Sequence, residues 1–130
     1  MATPAIVPGL ADRFTAAIAA ADMVTMREMY TPDAVIWHCT DGVELSVDEL
    51  DGLLTAIGSV STCAIEVVSR EATASGFVQA QVNTYTLHDG STVTLRCALL
   101  VTLDRERITR VDEYLDGAAL APLIDALPTV

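Results

Sequence analysis

Two consecutive runs near the C-terminus decide the fold: Thr92-Val-Thr-Leu-Arg-Cys-Ala-Leu-Leu-Val-Thr-Leu103 and Arg107-Ile-Thr-Arg-Val-Asp-Glu-Tyr-Leu-Asp116. Both runs are rich in β-branched and aromatic residues, and the polar segment Asp104-Arg-Glu106 separates them. This pattern predicts two long antiparallel strands joined by a tight turn. In the second run Val111 and Glu113 fall on the same face, because strand side chains alternate between faces. The sequence therefore predicts a carboxylate on an otherwise apolar face.

A further strand is predicted upstream, from Phe77 to His88, where Asp89-Gly90 is a strong signal for a two-residue hairpin loop. The loop lengths fix how the strands pair. The pairs expected from these loops are His88 with Ser91, Val82 with Cys97, Leu103 with Arg107, and Cys97 with Glu113.

This register assigns each strand residue to one of two faces of the sheet. The inner, mostly apolar face should carry Ala80, Val82, Thr84, Thr86, Val93, Leu95, Cys97, Leu99, Val101, Val111, Glu113 and Leu115. The outer face should carry Gln79, Gln81, Asn83, Tyr85, Thr94, Arg96, Asp112 and Tyr114. A change of one residue in the second turn would bring Asp112 inward instead of Glu113.

Helical patterns come before these strands. Apolar residues recur at three- and four-residue steps in the first helix, and Ser46-Val-Asp-Glu49 is a capping box that opens the third. Helices first, followed by a curved antiparallel sheet, predict an α+β fold with the helices on one face. The expected helices are Gly9 to Ala21, Met23 to Tyr30, Ser46 to about Ile57 and a short one after Asp116-Gly117, and the other strands are Ala34 to Cys39 and Thr62 to Thr73.

Composition bounds the class of protein. The 130 residues predict one domain spanning 1–130, and the net charge of −11, with arginine as the only basic residue besides histidine, argues against nucleic-acid or anionic-membrane partners. No apolar run approaches the roughly 20 residues of a membrane helix, and no basic segment precedes the Ala-rich start as in a secretory signal. The odd set of Cys39, Cys63 and Cys97, without a CxxC spacing, favours a reducing cytoplasm.

Four segments carry a family resemblance: Phe14-Thr-Ala-Ala-Ile-Ala-Ala-Ala-Asp22, Met29-Tyr-Thr-Pro-Asp-Ala-Val-Ile-Trp-His38, the Asp89-Gly90 hairpin, and Arg107 to Asp116. In their order and spacing, the chain resembles the nuclear transport factor 2-like superfamily, also called SnoaL-like or ketosteroid isomerase-like. The resemblance covers nearly the whole length. It implies a conical α+β barrel, a deep pocket between helices and sheet, and usually a dimer.

The resemblance also implies roles for individual positions. His38 falls where ketosteroid isomerases place their aspartate base and where limonene epoxide hydrolases place a water-holding asparagine. Phe14 and Leu99 fall at the isomerases' two oxyanion-donor positions, so this sequence departs from the isomerase pattern. Glu113 matches the acidic position on the hydrolases' final strand, whose arginine and aspartate partners are replaced here by apolar residues.

His38 and Glu113 are the predicted catalytic residues. A carboxylate near an imidazole in an apolar pocket orients the ring, raises its basicity and lets it take a proton from substrate or water. The alternative is a buried pair that only satisfies itself. The remainder of the predicted ligand pocket is apolar, with Phe14, Ile18, Ile36, Val82, Cys97, Leu99, Val111 and Leu115.

Two functions follow as alternatives. The first is an enzyme that needs no cofactor and acts on a small apolar molecule by isomerase, hydrolase or cyclase-type proton transfer. The second is a non-catalytic small-ligand-binding or dimerisation module. No metal site is expected, because the two histidines are far apart and no thiols cluster. A homodimer through the outer sheet face is expected, because that face carries Leu100 and Tyr114.

Overall fold

In the computed structural model, which describes residues 7–128, helices cover one face of a curved sheet. The elements are α1 (Val7–Ala20), α2 (Met23–Met29), β1 (Tyr30–His38), β2 (Glu44–Leu45), α3 (Val47–Val60), β3 (Ser61–Ala72), β4 (Gly76–Leu87), β5 (Thr92–Asp104), β6 (Arg107–Tyr114) and α4 (Gly117–Ala126). The strand order is β2-β1-β6-β5-β4-β3, antiparallel throughout except for the parallel pair β1–β6. The predicted α+β fold is confirmed, with a mixed rather than purely antiparallel sheet.

Side-chain caps explain where three helices begin. The capping box is present: the Glu49 amide donates to Ser46 Oγ over 3.2 Å, and the Ser46 amide donates to Glu49 Oε1 over 3.1 Å. Asp22 and Asp116 cap α2 and α4 through their carboxylates. Two predicted boundaries were wrong. β1 begins at Tyr30, directly after α2 and well before Ala34, and α3 continues past Ile57 to the start of β3.

The loop between β4 and β5 has three residues instead of the predicted two. The Leu87 amide donates to the Ser91 carbonyl over 2.8 Å, the Gly90 amide donates to the Leu87 carbonyl over 2.9 Å, and Gly90 takes a φ of +87°. This is a tight turn followed by a left-handed glycine, a common three-residue hairpin. The predicted pairs of His88 with Ser91 and of Val82 with Cys97 were therefore wrong.

A shift of one residue turns every side chain of a strand to the opposite face. Tyr85 pairs with Val93 and Gln81 with Cys97. The face assignment of β4 was consequently wrong throughout. Its buried inner residues are Gln79, Gln81, Asn83 and Tyr85, whereas Ala80, Val82, Thr84 and Thr86 lie on the outer face.

The pairing of β5 with β6 also differs from the prediction, by one residue next to the turn and by two residues from Thr102 onward. Glu113 pairs with Leu99 instead of Cys97, and an irregularity beside Leu103 pairs that residue with Ile108 instead of Arg107. A shift of two residues leaves each side chain on its predicted face. Glu113 accordingly lies on the inner face.

The inner face of β4 carries a row of buried polar side chains, named here the amide ladder: Gln79, Gln81 and Asn83, at 0%, 2% and 4% exposure. Buried amides are costly unless they are hydrogen-bonded. Gln79 Nε2 donates to Gln81 Oε1 and Gln81 Nε2 to Asn83 Oδ1, each over 2.8 Å. At the near end Arg70 Nε donates to Gln79 Oε1 over 2.7 Å, and at the far end Asn83 Nδ2 donates to Tyr85 Oη over 3.3 Å. The ladder is therefore bonded from one end to the other.

Two apolar clusters fill the space between sheet and helices. In the larger, the Phe14 ring packs edge-on against Tyr30 and Phe77, with ring centroids 6.5 and 6.3 Å apart. The smaller contains Leu95 and the fully buried Leu123 of α4. Burial of such side chains is the main favourable term in folding. Across residues 7–128, no helix is long and apolar enough to cross a membrane.

Gly76 opens β4 at a close approach to β5. A Cβ built there would lie 1.9 Å from the Val101 carbonyl oxygen, whereas one at Gly52, exposed within α3, would meet nothing within 4 Å. We expect Gly76→Ala to lower the free energy of unfolding by about 1–3 kcal/mol through overpacking, as measured by urea denaturation. The matched control Gly52→Ala should raise it by up to about 1 kcal/mol. Equal effects of the two substitutions would contradict the register described here.

Candidate active site

A cavity of about 510 Å³ lies between the inner face of the sheet and helices α1, α3 and α4. Its wall is mostly leucine and isoleucine, including Leu54, Leu120 and Ile124. The exposed residues Asp41 and Glu49 also line it and mark its opening. The volume and the apolar wall with few polar groups are typical of small-molecule sites.

Parallel pairing of β1 with β6 brings His38 and Glu113 together. The two residues are backbone partners, and the Cys39 amide donates to the Glu113 carbonyl over 3.0 Å. His38 Nε2 lies 3.5 Å from Glu113 Oε1, and the side chains are 19% and 20% exposed. Both line the cavity. The separation is slightly longer than that of a normal hydrogen bond.

The apolar surroundings shift the pKa values of Glu113 and His38 in the directions that disfavour their charged forms. Burial raises the pKa of Glu113 to about 7. Burial also lowers the pKa of His38, against a smaller opposing effect of the nearby Asp41 carboxylate. Loss of hydration penalises the charged form of either group. Both shifts therefore oppose an ion pair of Glu113 carboxylate and His38 imidazolium near neutral pH.

Three buried polar residues of the cavity wall were not predicted: Tyr30, Asn83 and Tyr85. Burial, and secondarily the charge of Glu113, raises the pKa of Tyr30 above its ordinary value; burial does the same for Tyr85. Both hydroxyls therefore stay protonated and can donate. Tyr30 could have been found from its even spacing to Ile36 on β1, since residues an even number apart share a face of a strand. Asn83 and Tyr85 were assigned to the wrong face with the rest of β4.

The predicted pocket residues separate into two groups. Phe14, Ile18, Ile36, Val111 and Leu115 line the cavity. The placement of Val82, Cys97 and Leu99 in the pocket was wrong, because none of these three lines the cavity.

These three side chains are absent from the cavity wall for different reasons. Val82 lies on the outer face because of the three-residue loop, and Leu99 is packed at 0% exposure within the larger cluster. Cys97 packs in the smaller cluster, where burial, followed by the charge of Glu113, raises the pKa of its thiol to about 12. A protonated thiol is a poor nucleophile. Residues 7–128 contain no group of three or more His, Cys, Asp or Glu side chains placed to hold a metal ion.

Comparison with solved structures identifies the fold. PrhC from Penicillium brasilianum NBRC 6234 superposes with a TM-score of 0.84 at 11% identity, covering 95% of this chain and 88% of that one. A hypothetical protein with a ketosteroid isomerase-like fold from Catenulispora acidiphila DSM 44928, in complex with trimethylamine, gives 0.78 at 12%, covering 94% and 95%. An LEH-like epoxide hydrolase from M. tuberculosis gives 0.74 at 14%, covering 90% and 88%.

At these identities the likeness shows the fold alone. No protein-family profile and no curated protein sequence matches the chain. The chain has the nuclear transport factor 2-like fold, shared by ketosteroid isomerase-like and SnoaL-like proteins. The resemblance predicted from the sequence is confirmed at this level.

Proposed function

We propose that this chain is a cofactor-independent enzyme that moves a proton on a small, mostly apolar molecule, with His38 and Glu113 as the catalytic residues. The observation that carries the proposal is the 3.5 Å contact between the two side chains in an apolar cavity. Ionisable groups are rarely buried unless they are paired or used. An LEH-like epoxide hydrolase among the structural neighbours supports an enzymatic role for this fold.

The pair can work as an acid and a base in one cycle. With the Glu113 pKa at about 7, both its protonation states are populated near neutral pH. In the deprotonated state the carboxylate, or the neutral imidazole beside it, takes a proton from substrate carbon or from a bound water. The resulting carboxylic acid or imidazolium returns the proton to the product. A catalytic pKa near the working pH makes both transfers efficient.

The alternative function is a non-catalytic module that binds a small ligand. It is favoured by the apolar side chains of Phe14 and Leu99 at the two positions where the family resemblance implies oxyanion donors. A developing enolate would then depend on other donors, of which Tyr30 is one that lines the cavity. Binding without turnover is the outcome that separates this alternative from the enzyme.

Proton abstraction can be tested without knowing the natural substrate. The probe 5-nitrobenzisoxazole loses a ring C–H proton to any suitably placed base, while its N–O bond breaks to give a coloured cyanophenolate. We expect the protein to accelerate this reaction over buffer, with a rate that rises as the pH passes through about 7, because the carboxylate is the basic form of Glu113. Glu113→Gln and His38→Gln should each lower the rate by about tenfold or more.

Matched controls are available elsewhere in the chain. His88 and Glu66 are exposed and lie outside the cavity, so His88→Gln and Glu66→Gln should keep the parent rate. Equal rates in the parent and in Glu113→Gln would contradict the assignment of Glu113 as a catalytic group.

We also propose that a second copy of the chain covers the outer face of the sheet. Val78 and Leu100 are exposed there and pair with each other, and the neighbouring Tyr114 pairs with Ala98 on the same face. Trp37 packs edge-on against Tyr114, with ring centroids 5.3 Å apart. This apolar patch lies on the outer sheet face, through which the sequence predicts a homodimer.

Substitution within this patch should separate dimer from monomer. We expect sedimentation velocity to show a dimer for the parent and a monomer for Leu100→Glu, because a charge cannot be buried in an apolar interface without a partner. Val24→Glu, at an exposed apolar residue on α2, is the control and should remain dimeric. A monomeric parent at micromolar concentration would refute the proposed dimer.

A reducing compartment, the cytoplasm, is the proposed location. Cys39, Cys63 and Cys97 are all free thiols in the structure. Cys39 Sγ donates to the Leu115 carbonyl over 3.3 Å, which gives this thiol a structural role. Free, partly buried thiols persist best where reductants are abundant.

A further inference from the structure

The hydrogen bonds of the amide ladder run in one direction, because Arg70, which binds its near end, can only donate. Arg70 carries N–H groups and no acceptor, so Gln79 must turn its oxygen toward Arg70. Gln79 then presents both N–H groups to Thr15 Oγ1, over 2.9 Å, and to Gln81. In the same way, the amide nitrogen of Gln81 donates to the amide oxygen of Asn83. Every amide in the row therefore donates toward the end of the strand that carries Tyr85.

This direction leaves hydrogen-bond donors at the cavity wall. The Tyr85 oxygen accepts from Asn83 Nδ2, so its own O–H is free to donate. Asn83 Nδ2 has two N–H groups, and among the described residues only the Tyr85 oxygen accepts from it. The Tyr85 hydroxyl is in hydrogen-bond contact with the Cys63 thiol, which is a weak acceptor. Because Asn83 and Tyr85 both line the cavity, the second Asn83 N–H and the Tyr85 hydroxyl are donors available to a ligand there.

We propose that Asn83 and Tyr85 form a binding subsite for a neutral oxygen acceptor, such as a ketone or ether oxygen, on the ligand of this cavity. Filling the subsite satisfies donors that are otherwise left in an apolar wall, which is where a hydrogen bond discriminates most strongly between ligands. The subsite deepens the proposed function, since it names the ligand as an apolar molecule with at least one oxygen function, but binding there does not require catalysis.

The charges around the cavity select a neutral oxygen over a carboxylate or phosphate. None of the chain's seven arginines lines the cavity, whereas the exposed carboxylates of Asp41 and Glu49 do, so anions are repelled at its opening. An anionic ligand would meet this repulsion without a cation to offset it.

The sheet register places the subsite away from the proton-transfer pair. Glu113 pairs with Leu99 on β5, whereas Asn83 and Tyr85 pair with Leu95 and Val93, two strands from β6. The subsite and the pair lie at separate places on one cavity wall. Asn83 and Tyr85 therefore act as specificity-determining residues that hold one part of the ligand while another part reaches Glu113.

Two ligands of similar shape test the subsite directly: 1-tetralone, and 1-methyltetralin, which has a methyl group where the ketone has its oxygen. Affinities would be measured by NMR titration of the parent, Tyr85→Phe and Asn83→Leu. We expect Tyr85→Phe to weaken binding of the ketone by several-fold to about tenfold, the effect of one hydrogen bond, and to leave 1-methyltetralin unchanged. Asn83→Leu should act in the same direction.

Control variants separate this proposal from the proposed function. Tyr114→Phe, on the outer face, should bind both ligands like the parent. Glu113→Gln should keep the dependence of ketone binding on Tyr85 even if it loses activity. The subsite is refuted if the parent does not bind the ketone, or if Tyr85→Phe changes the affinities of both ligands equally or of neither.

Discussion

The parallel pairing of β1 with β6 is the constraint on which the rest of the structure depends. It joins a strand from the first third of the chain to the last strand, and it is the only parallel pair in the described sheet. It brings His38 beside Glu113 and places both at the wall of a cavity closed by α3 and α4. A different pairing of these two strands would separate His38 from Glu113.

The interior contains polar groups of two kinds, and hydrogen bonding separates them. The ladder amides are almost fully buried, yet each has partners within the row, so their burial is compatible with stability. Glu113 is not part of this hydrogen-bonded row, and burial raises its pKa to about 7. A bonded amide is structural, whereas a carboxyl group held near neutrality by burial is available for proton transfer. At Tyr85, the end of the ladder, the hydrogen-bonded row adjoins the proposed oxygen-binding subsite.

Local signals in the sequence predicted the parts of the fold that depend on neighbouring residues. Ser46 and Glu49 form the capping box as expected. Glu113 lies on the inner face because the second turn and the irregularity beside Leu103 together change the register by two residues. The predicted length of the first turn was wrong because Asp89-Gly90 suits loops of two and of three residues. The amides of β4 then appeared to be solvent-facing, since a row that satisfies itself cannot be recognised from residue types. Pairing of β1 with β6 is set by contacts distant in sequence, which no local pattern encodes.

His38 and Glu113 share an apolar cavity in which burial opposes an ion pair between them near neutral pH. The most direct test follows the ¹³Cδ resonance of Glu113 and the ring ¹⁵N resonances of His38 by NMR over a pH titration, with Glu113→Gln and His38→Gln to assign them. We expect Glu113 to titrate near 7 and the His38 ring to titrate below its ordinary pKa. An ordinary carboxylate titration, together with an imidazolium that persists above neutral pH, would show an ion pair and contradict the account.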